Sequence, residues 1–260
     1  MIYINVSPVA FTIGSFSVHW YGIMVALAVL SLIMWALFAV RHDNRLSYDI
    51  MINAALVGIP SGIVFARLVH VADYWDYYSQ HLNEIIGGSG LAIYGAVLGA
   101  ALGIWVYSRF RKISFGHLAD VISPGIILAQ AIGRVGCTFN GCCYGVETDI
   151  FCAVVYSDPE SFAPIGIPVH PTQIYEIVYN LIVFGVLLLL RQRFRPDGSL
   201  FLIYLTLYSL WRFAIDFIRE GTPFLLGLHE AQVISIIVLI ITITLIAWRT
   251  RWVGKNTEPG

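Results

Sequence analysis

The chain has 260 residues, 58% hydrophobic and 12% charged, with a formal net charge of −1 and a mean hydropathy of +0.77. Soluble domains carry about 45–50% apolar and about 25% charged residues, so this composition excludes an ordinary globular protein and reads as an integral membrane protein. The net charge says nothing about nucleic acid, and no basic tract suggests it, so no nucleic-acid partner is expected.

The predicted elements follow from apolar runs of bilayer length. Residues 1–18 are mixed, broken by Pro8 and Gly14, and read as an interfacial arm. The first transmembrane helix is about His19–Val40, ended by Arg41, His42, Asp43, Asn44 and Arg45. No Lys or Arg precedes Arg41, so the positive segment of a cleavable signal peptide is missing and the first span is expected to remain in the mature protein. The second helix runs from about Ile50 to Ala72, and the aromatic residues Tyr74, Trp75, Tyr77 and Tyr78 after it mark a membrane interface. The third covers about Leu91–Tyr107 and the fourth about His117–Val135, which Pro124 is expected to break. Residues 136–171 are polar, rich in Pro and Gly, contain all four cysteines, and read as a small extracytoplasmic head inserted between helices four and five. Helices five, six and seven follow at about Thr172–Leu190, Ser199–Ile218 and Ala231–Trp248. The expected fold is therefore all-α and polytopic, one integral membrane domain over 1–260 with seven transmembrane helices.

Cations set the orientation. The loops after helices one, three, five and seven hold Arg41, Arg45, Arg109, Arg111, Lys112, Arg191, Arg193, Arg195, Arg249, Arg251 and Lys255, whereas the opposite loops hold none apart from boundary arginines. The positive-inside rule then places the N-terminus outside and the C-terminus in the cytoplasm. Gly133–Gly145 (GRVGCTFNGCCYG), the end of helix two, the start of helix five and the end of helix six come to the outer leaflet.

Arg134 follows the apolar run Ile126–Ile132, and Arg67, Arg212 and Arg219 also lie in or beside spans. A charge at membrane depth costs roughly 2.5–3.5 kcal/mol and marks a functional interior. Arg212, Asp216 and Arg219 share one helical stripe, as do Gln173, Glu176 and Asn180, and Arg67 stands a turn from His70. Facing inward, these stripes make one polar chamber with surplus positive charge. A guanidinium fork is always protonated and grips two phosphate oxygens, so the chamber suits an anionic lipid head group. The competing reading of the arginines is structural neutralisation of Asp216 and Glu176. Gly95, Gly99 and Gly103 form a small-residue face for close helix packing, with Tyr94 beside it. Cys137, Cys142, Cys143 and Cys152 have the spacing C-x4-C-C-x8-C, which departs from a zinc ribbon and favours a disulfide or free buried thiols over a metal.

GRVGCTFNG (Gly133–Gly141) resembles the signature of bacterial prolipoprotein diacylglyceryl transferases, usually Gly-Arg-x-Gly-Asn-Phe-x-Asn-Gly. HWYG (His19–Gly22), GGSGLAIYG (Gly87–Gly95), HPTQIYE (His170–Glu176), WRFAIDFIRE (Trp211–Glu220) and GLHEAQVIS (Gly227–Ser235) have counterparts in order. The resemblance implies a seven-helix transferase of the bacterial cytoplasmic (inner) membrane with its active site toward the outer leaflet. It implies transfer of the diacylglyceryl group of phosphatidylglycerol to the lipobox cysteine thiol of a prolipoprotein. The products are a thioether and glycerol 1-phosphate, the first step of lipoprotein maturation. The partners it implies are membrane lipid and a prolipoprotein signal peptide, with no cofactor and no metal. By motif position, Arg134 resembles the lipid-binding arginine and Arg212 the second essential arginine. Asp216 and Arg219 match acidic and basic positions, and Tyr21, Asn140 and Gly145 fall on motif positions. Cys137 stands where Asn is usual, Cys142 where Glu is common, and Tyr94 where many members carry a histidine proposed as the base. His170, Glu176, Asp216 and Tyr94 accordingly remain alternatives for base or positioning roles. The rival readings are a lipid or solute transporter, disfavoured by the lack of an internal repeat, and a non-catalytic paralogue.

Overall fold

Apolar stretches with no partner for their backbone groups in lipid must close their hydrogen bonds internally, and this chain does so mainly as helices. The computed structural model describes residues 1–87, 90 and 92–252. In chain order the elements are β1 (Ile2–Ile4), β2 (Val9–Ile13), β3 (Phe16–His19), α1 (Trp20–Val40), α2 (Tyr48–Asp73), the one-turn helices α3 (Trp75–Tyr78) and α4 (Glu84–Gly87), and α5 (Ile93–Arg111). There follow α6 (Phe115–Asn140), β4 (Val154–Tyr156), β5 (Pro168–Val169), α7 (Thr172–Leu190), β6 (Phe194–Arg195), α8 (Ser199–Ile215), α9 (Glu230–Arg249) and β7 (Arg251–Trp252). Lys255 of the terminal cation cluster, and Gly88, Ser89 and Leu91 at the expected start of the third span, lie outside the described residues.

Among the described residues six helices, α1, α2, α5, α6, α7 and α9, are long and apolar enough to cross a membrane. The apolar α8 is shorter, at 17 residues. The protein is thus mostly helical and polytopic. Two expectations need correction. Pro124 does not break its helix, because α6 runs on from Phe115 to Asn140. Proline removes the N–H that would bond the Asp120 carbonyl, and the Ser123 hydroxyl donates to that carbonyl instead, at 3.0 Å. The sixth helix stops at Ile215 rather than Ile218, so Arg219 lies beyond it.

The chain divides into two compact units, residues 1–35 with 120–260, and residues 36–119. In the second unit, α2 packs closely on α5 through the predicted glycine face. A methyl at Gly99 would stand 2.6 Å from the Ser61 carbonyl oxygen, so only glycine permits this approach.

In the first unit, Ile127, Val183, Leu187, Leu200 and Tyr204 form a core between α6, α7 and α8. Trp35 of α1 donates to the Val121 carbonyl at 3.0 Å and meets Phe184 edge-on. The arm and head are not featureless loops: β1 pairs in parallel with β4, β4 pairs antiparallel with β5, and β2–β3 is a hairpin. This sheet buries Val154, Tyr156, Ala163 and Val169.

The unit has two chemically different ends. At one, Asp120 of α6 accepts from the Gly198 and Phe201 amides at 2.7 and 2.8 Å, satisfying orphan donors at the start of α8. Arg249 donates to the Asp197 carbonyl and β6 pairs with β7 at that same end. The other end lies about 21 Å away along α6, at 1.5 Å per residue from Asp120 to Arg134.

Candidate active site

That far end is built around one carboxylate. Gln173, Glu176 and Asn180 are all buried on α7, as a shared stripe predicts. Glu176 receives Arg134 of α6, whose Nε pairs with Oε2. Arg212 of α8 reaches Oε1 at 3.6 Å and Arg219 reaches it at 3.3 Å. Arg212 also lies 3.0 Å from Asp216, one turn on, and Asp216 lies 3.6 Å from His229 Nδ1. Three guanidiniums against two carboxylates leave one surplus positive charge, before any contribution from His229. Arg212 Nη1 has ion-pair distances but no aligned hydrogen bond among the described residues.

Arg219 arrives by a route that helical spacing does not describe. Beyond α8 the chain pairs edge to edge with the loop after α6: Gly145 bridges Arg219, Val146 N–H donates to the Ile218 carbonyl at 2.9 Å, and Glu220 N–H donates to the Tyr144 carbonyl at 3.2 Å. On its other side the same loop exchanges bonds with His170. A Cβ at Gly145 would lie 2.5 Å from the Ile218 oxygen and 2.6 Å from His170 Cβ, so this crossing requires glycine.

The other predicted site residues divide between the two units. Tyr21 sits near the start of α1, where its backbone closely approaches Gly136 of α6. Asn140 ends α6 and its carbonyl accepts from Phe162 N–H. The His170 ring stands 3.5 Å from the Tyr175 hydroxyl. Arg67 and Tyr94 belong to the second unit. There Arg67 donates to the carbonyls of Glu84, Ile85 and Gly90 and lies over the Tyr78 ring, 5.1 Å from its centre. His70, Tyr74, Tyr77, Tyr78, Glu84 and Gly90 line a cavity of about 350 Å³ beside it. Tyr94 is 40% exposed near the start of α5.

Two features escaped the sequence reading. His229 joins the charge network as the N-cap of α9, locked by Gln232 in a reciprocal capping box. Only its presence in the GLHEAQVIS stretch hinted at that. The second is the gathering of Cys137, Cys142 and Cys143 into one cluster; that they are free thiols is one of the two alternatives the spacing favours. Arg134 Nη1 lies 4.0 Å from Cys137 Sγ. The neighbouring thiols of Cys137 and Cys142, by donating to Cys143, hold its thiol well below the usual range, with Arg219 and Arg134 adding to the effect.

Fold and site together define a polytopic helical membrane protein with a buried, arginine-rich charge cluster at one end of the helices of its first unit. The family profile described as Prolipoprotein diacylglyceryl transferase matches residues 8–248. The chain is similar to proteins named phosphatidylglycerol–prolipoprotein diacylglyceryl transferase from several bacteria. It is 48% identical over 251 residues to that of Dehalococcoides mccartyi, covering 96% of each chain. With that of Listeria innocua it shares 36% over 255 residues, covering 93% of this chain and 89% of the other. With that of Clostridioides difficile it shares 36% over 236 residues, covering 89% and 91%. The chain belongs to the prolipoprotein diacylglyceryl transferase family.

Proposed function

We propose that this protein transfers the diacylglyceryl group of phosphatidylglycerol to the lipobox cysteine of prolipoproteins, with Arg134 and Arg212 as the phosphate clamp. Full-length family membership supports the reaction, and the convergence of three guanidiniums on Glu176 supports the clamp. The substrate thiolate attacks the carbon of the diacylglyceryl moiety that bears the phosphate ester. A C–S bond forms, the C–O bond breaks, and the electron pair leaves on the phosphate oxygen of glycerol 1-phosphate. Fixed guanidiniums stabilise that developing charge without reorganising during the step. A thiol with a free pKa of about 8.5 must lose its proton to react. Asp216 with His229 and His170 with Tyr175 are the proton-accepting candidates in the first unit, and Tyr94 is the candidate in the second. Glu176, shared by three arginines, acts in this reading as the post that aims them.

The same reading puts α8 across the membrane as a seventh span. It places the cation-rich end, with Arg191, Arg193, Arg195, Arg249 and Arg251, in the cytoplasm, and the Arg134 end at the outer leaflet of the cytoplasmic membrane. In the first unit the β6–β7 pair already sets Arg195 beside Arg251, opposite to the arginine cluster, and this supports that orientation.

The test is complementation of a strain depleted of its own transferase, with mass spectrometry of a reporter lipoprotein. Wild type adds one diacylglyceryl group; Arg134→Ala and Arg212→Ala insert in the membrane but leave the reporter unmodified. A wild-type protein that inserts correctly yet leaves the reporter unmodified would refute the assignment and leave a non-catalytic member or a transporter.

A further inference from the structure

The segment that follows α6 folds its three cysteines back on themselves. Cys142 N–H donates to the Cys137 carbonyl at 3.2 Å, closing the helix end. Gly141 and Cys143 then take left-handed backbone conformations, with φ of 69° and 66°. A residue with a Cβ pays about 1–2 kcal/mol for that conformation, so the surroundings must enforce it. Two fully buried side chains of α7 do so: Thr172 donates to the Cys143 carbonyl at 2.6 Å and Gln173 to the Cys142 carbonyl at 2.8 Å. The result is three sulfurs within 4.8 Å of one another, on a backbone held from outside the cluster.

We propose that Cys137, Cys142 and Cys143 form a three-thiolate binding site for a thiophilic d10 metal ion, zinc(II) being the probe. With Zn–S bonds of about 2.3 Å, tetrahedral coordination sets sulfurs roughly 3.8 Å apart, so side-chain rotation of less than about 1 Å closes the site. Three sulfurs leave the fourth position to an outside ligand, and the half-buried Cys142 and Cys143 give a path to it. Zinc with three thiolates carries one negative charge, and Arg134 at 4.0 Å from Cys137 Sγ is placed to compensate it. Thiolate sets select this class of ion over hard cations. Cys152 is outside the cluster, with its sulfur 3.6 Å from the Tyr175 hydroxyl. It therefore serves as an internal control.

Full-length protein, purified in detergent under reducing conditions and stripped of metal, is titrated with zinc(II) against a chromophoric chelator and separately with cobalt(II). The site predicts one equivalent of zinc, protection of three thiols from maleimide, and a cobalt(II) spectrum with thiolate charge-transfer bands of a tetrahedral ion. Cys142→Ser and Cys143→Ser lose that equivalent, whereas Cys152→Ser keeps it. If a serine variant unfolds, the sulfur count from the wild-type cobalt spectrum decides. Retention of zinc in the serine variants, a cobalt spectrum without thiolate bands, or a disulfide among these cysteines in protein trapped with a thiol-blocking reagent would overturn the proposal. None of these readouts depends on transferase activity.

Discussion

Glu176 is the residue on which the charge network turns. It is 4% exposed and shared by Arg134, Arg212 and Arg219. Removing one partner of a buried pair leaves uncompensated charge and costs about 3–5 kcal/mol. Glu176→Gln is therefore expected to lower the unfolding temperature in detergent sharply and to abolish turnover. Melting indistinguishable from wild type would show that the arginines do not depend on this carboxylate. Arg134→Lys keeps the charge but loses the fork, and turnover is expected to fall about 100- to 1000-fold, as for loss of a preorganised donor. Assay of diacylglyceryl transfer in lipid, with insertion verified, checks this, and near-normal rates would mean that charge alone suffices. At Gly145 a methyl group collides with the Ile218 carbonyl and His170. Gly145→Ala should cost about 1–3 kcal/mol and also displace Arg219, so that both stability and activity fall in parallel measurements. The buried stripe of Gln173, Glu176 and Asn180 was legible in the sequence, because residues three and four apart share a helical face. The role of Arg219 was only partly legible: its i+7 spacing from Arg212 suggested a common stripe, but the helix ends at Ile215 and strand-like pairing with Gly145 does the positioning.

At the scale of elements, local rules erred where a side chain took over a backbone hydrogen bond. Pro124 is a helix breaker by its own chemistry, yet Ser123 satisfies the carbonyl it frees and α6 continues to Asn140. Without that continuation Arg134 would not share a rigid rod with Asp120. The Asp120 carboxylate caps α8 from a neighbouring helix, a contact no capping pattern in the local sequence announces, since Gly198 holds the N-cap position. Asp120→Ala should cost about 0.5–2 kcal/mol, the usual loss for a missing N-cap. Hydrogen exchange should quicken at the Gly198 and Phe201 amides first. Unchanged exchange there would mean that other groups hold the start of α8. The glycine face of α5 was readable from spacing alone, because close helix approach needs small residues at every turn.

For the whole molecule, the orientation proposed here makes an accessible prediction. Single-cysteine reporters in a background without the four native cysteines, placed at Glu147 and at Gln192, should react oppositely with an impermeant maleimide in intact cells. Labelling at Glu147 and not at Gln192 is expected; the reverse pattern would invert the topology and place Arg134 on the cytoplasmic side. The membrane class, the approximate spans, the cation asymmetry and the family signature were determined by the sequence itself. Hydropathy and charge act through additive preferences of individual side chains for lipid, interface or water, so a linear reading recovers them. Only the tertiary structure decided which charges share Glu176, that His229 joins Asp216, and that three cysteines of unremarkable spacing meet at one point. Those contacts join segments far apart in the chain or folded back by left-handed turns, and neither periodicity nor spacing encodes that proximity.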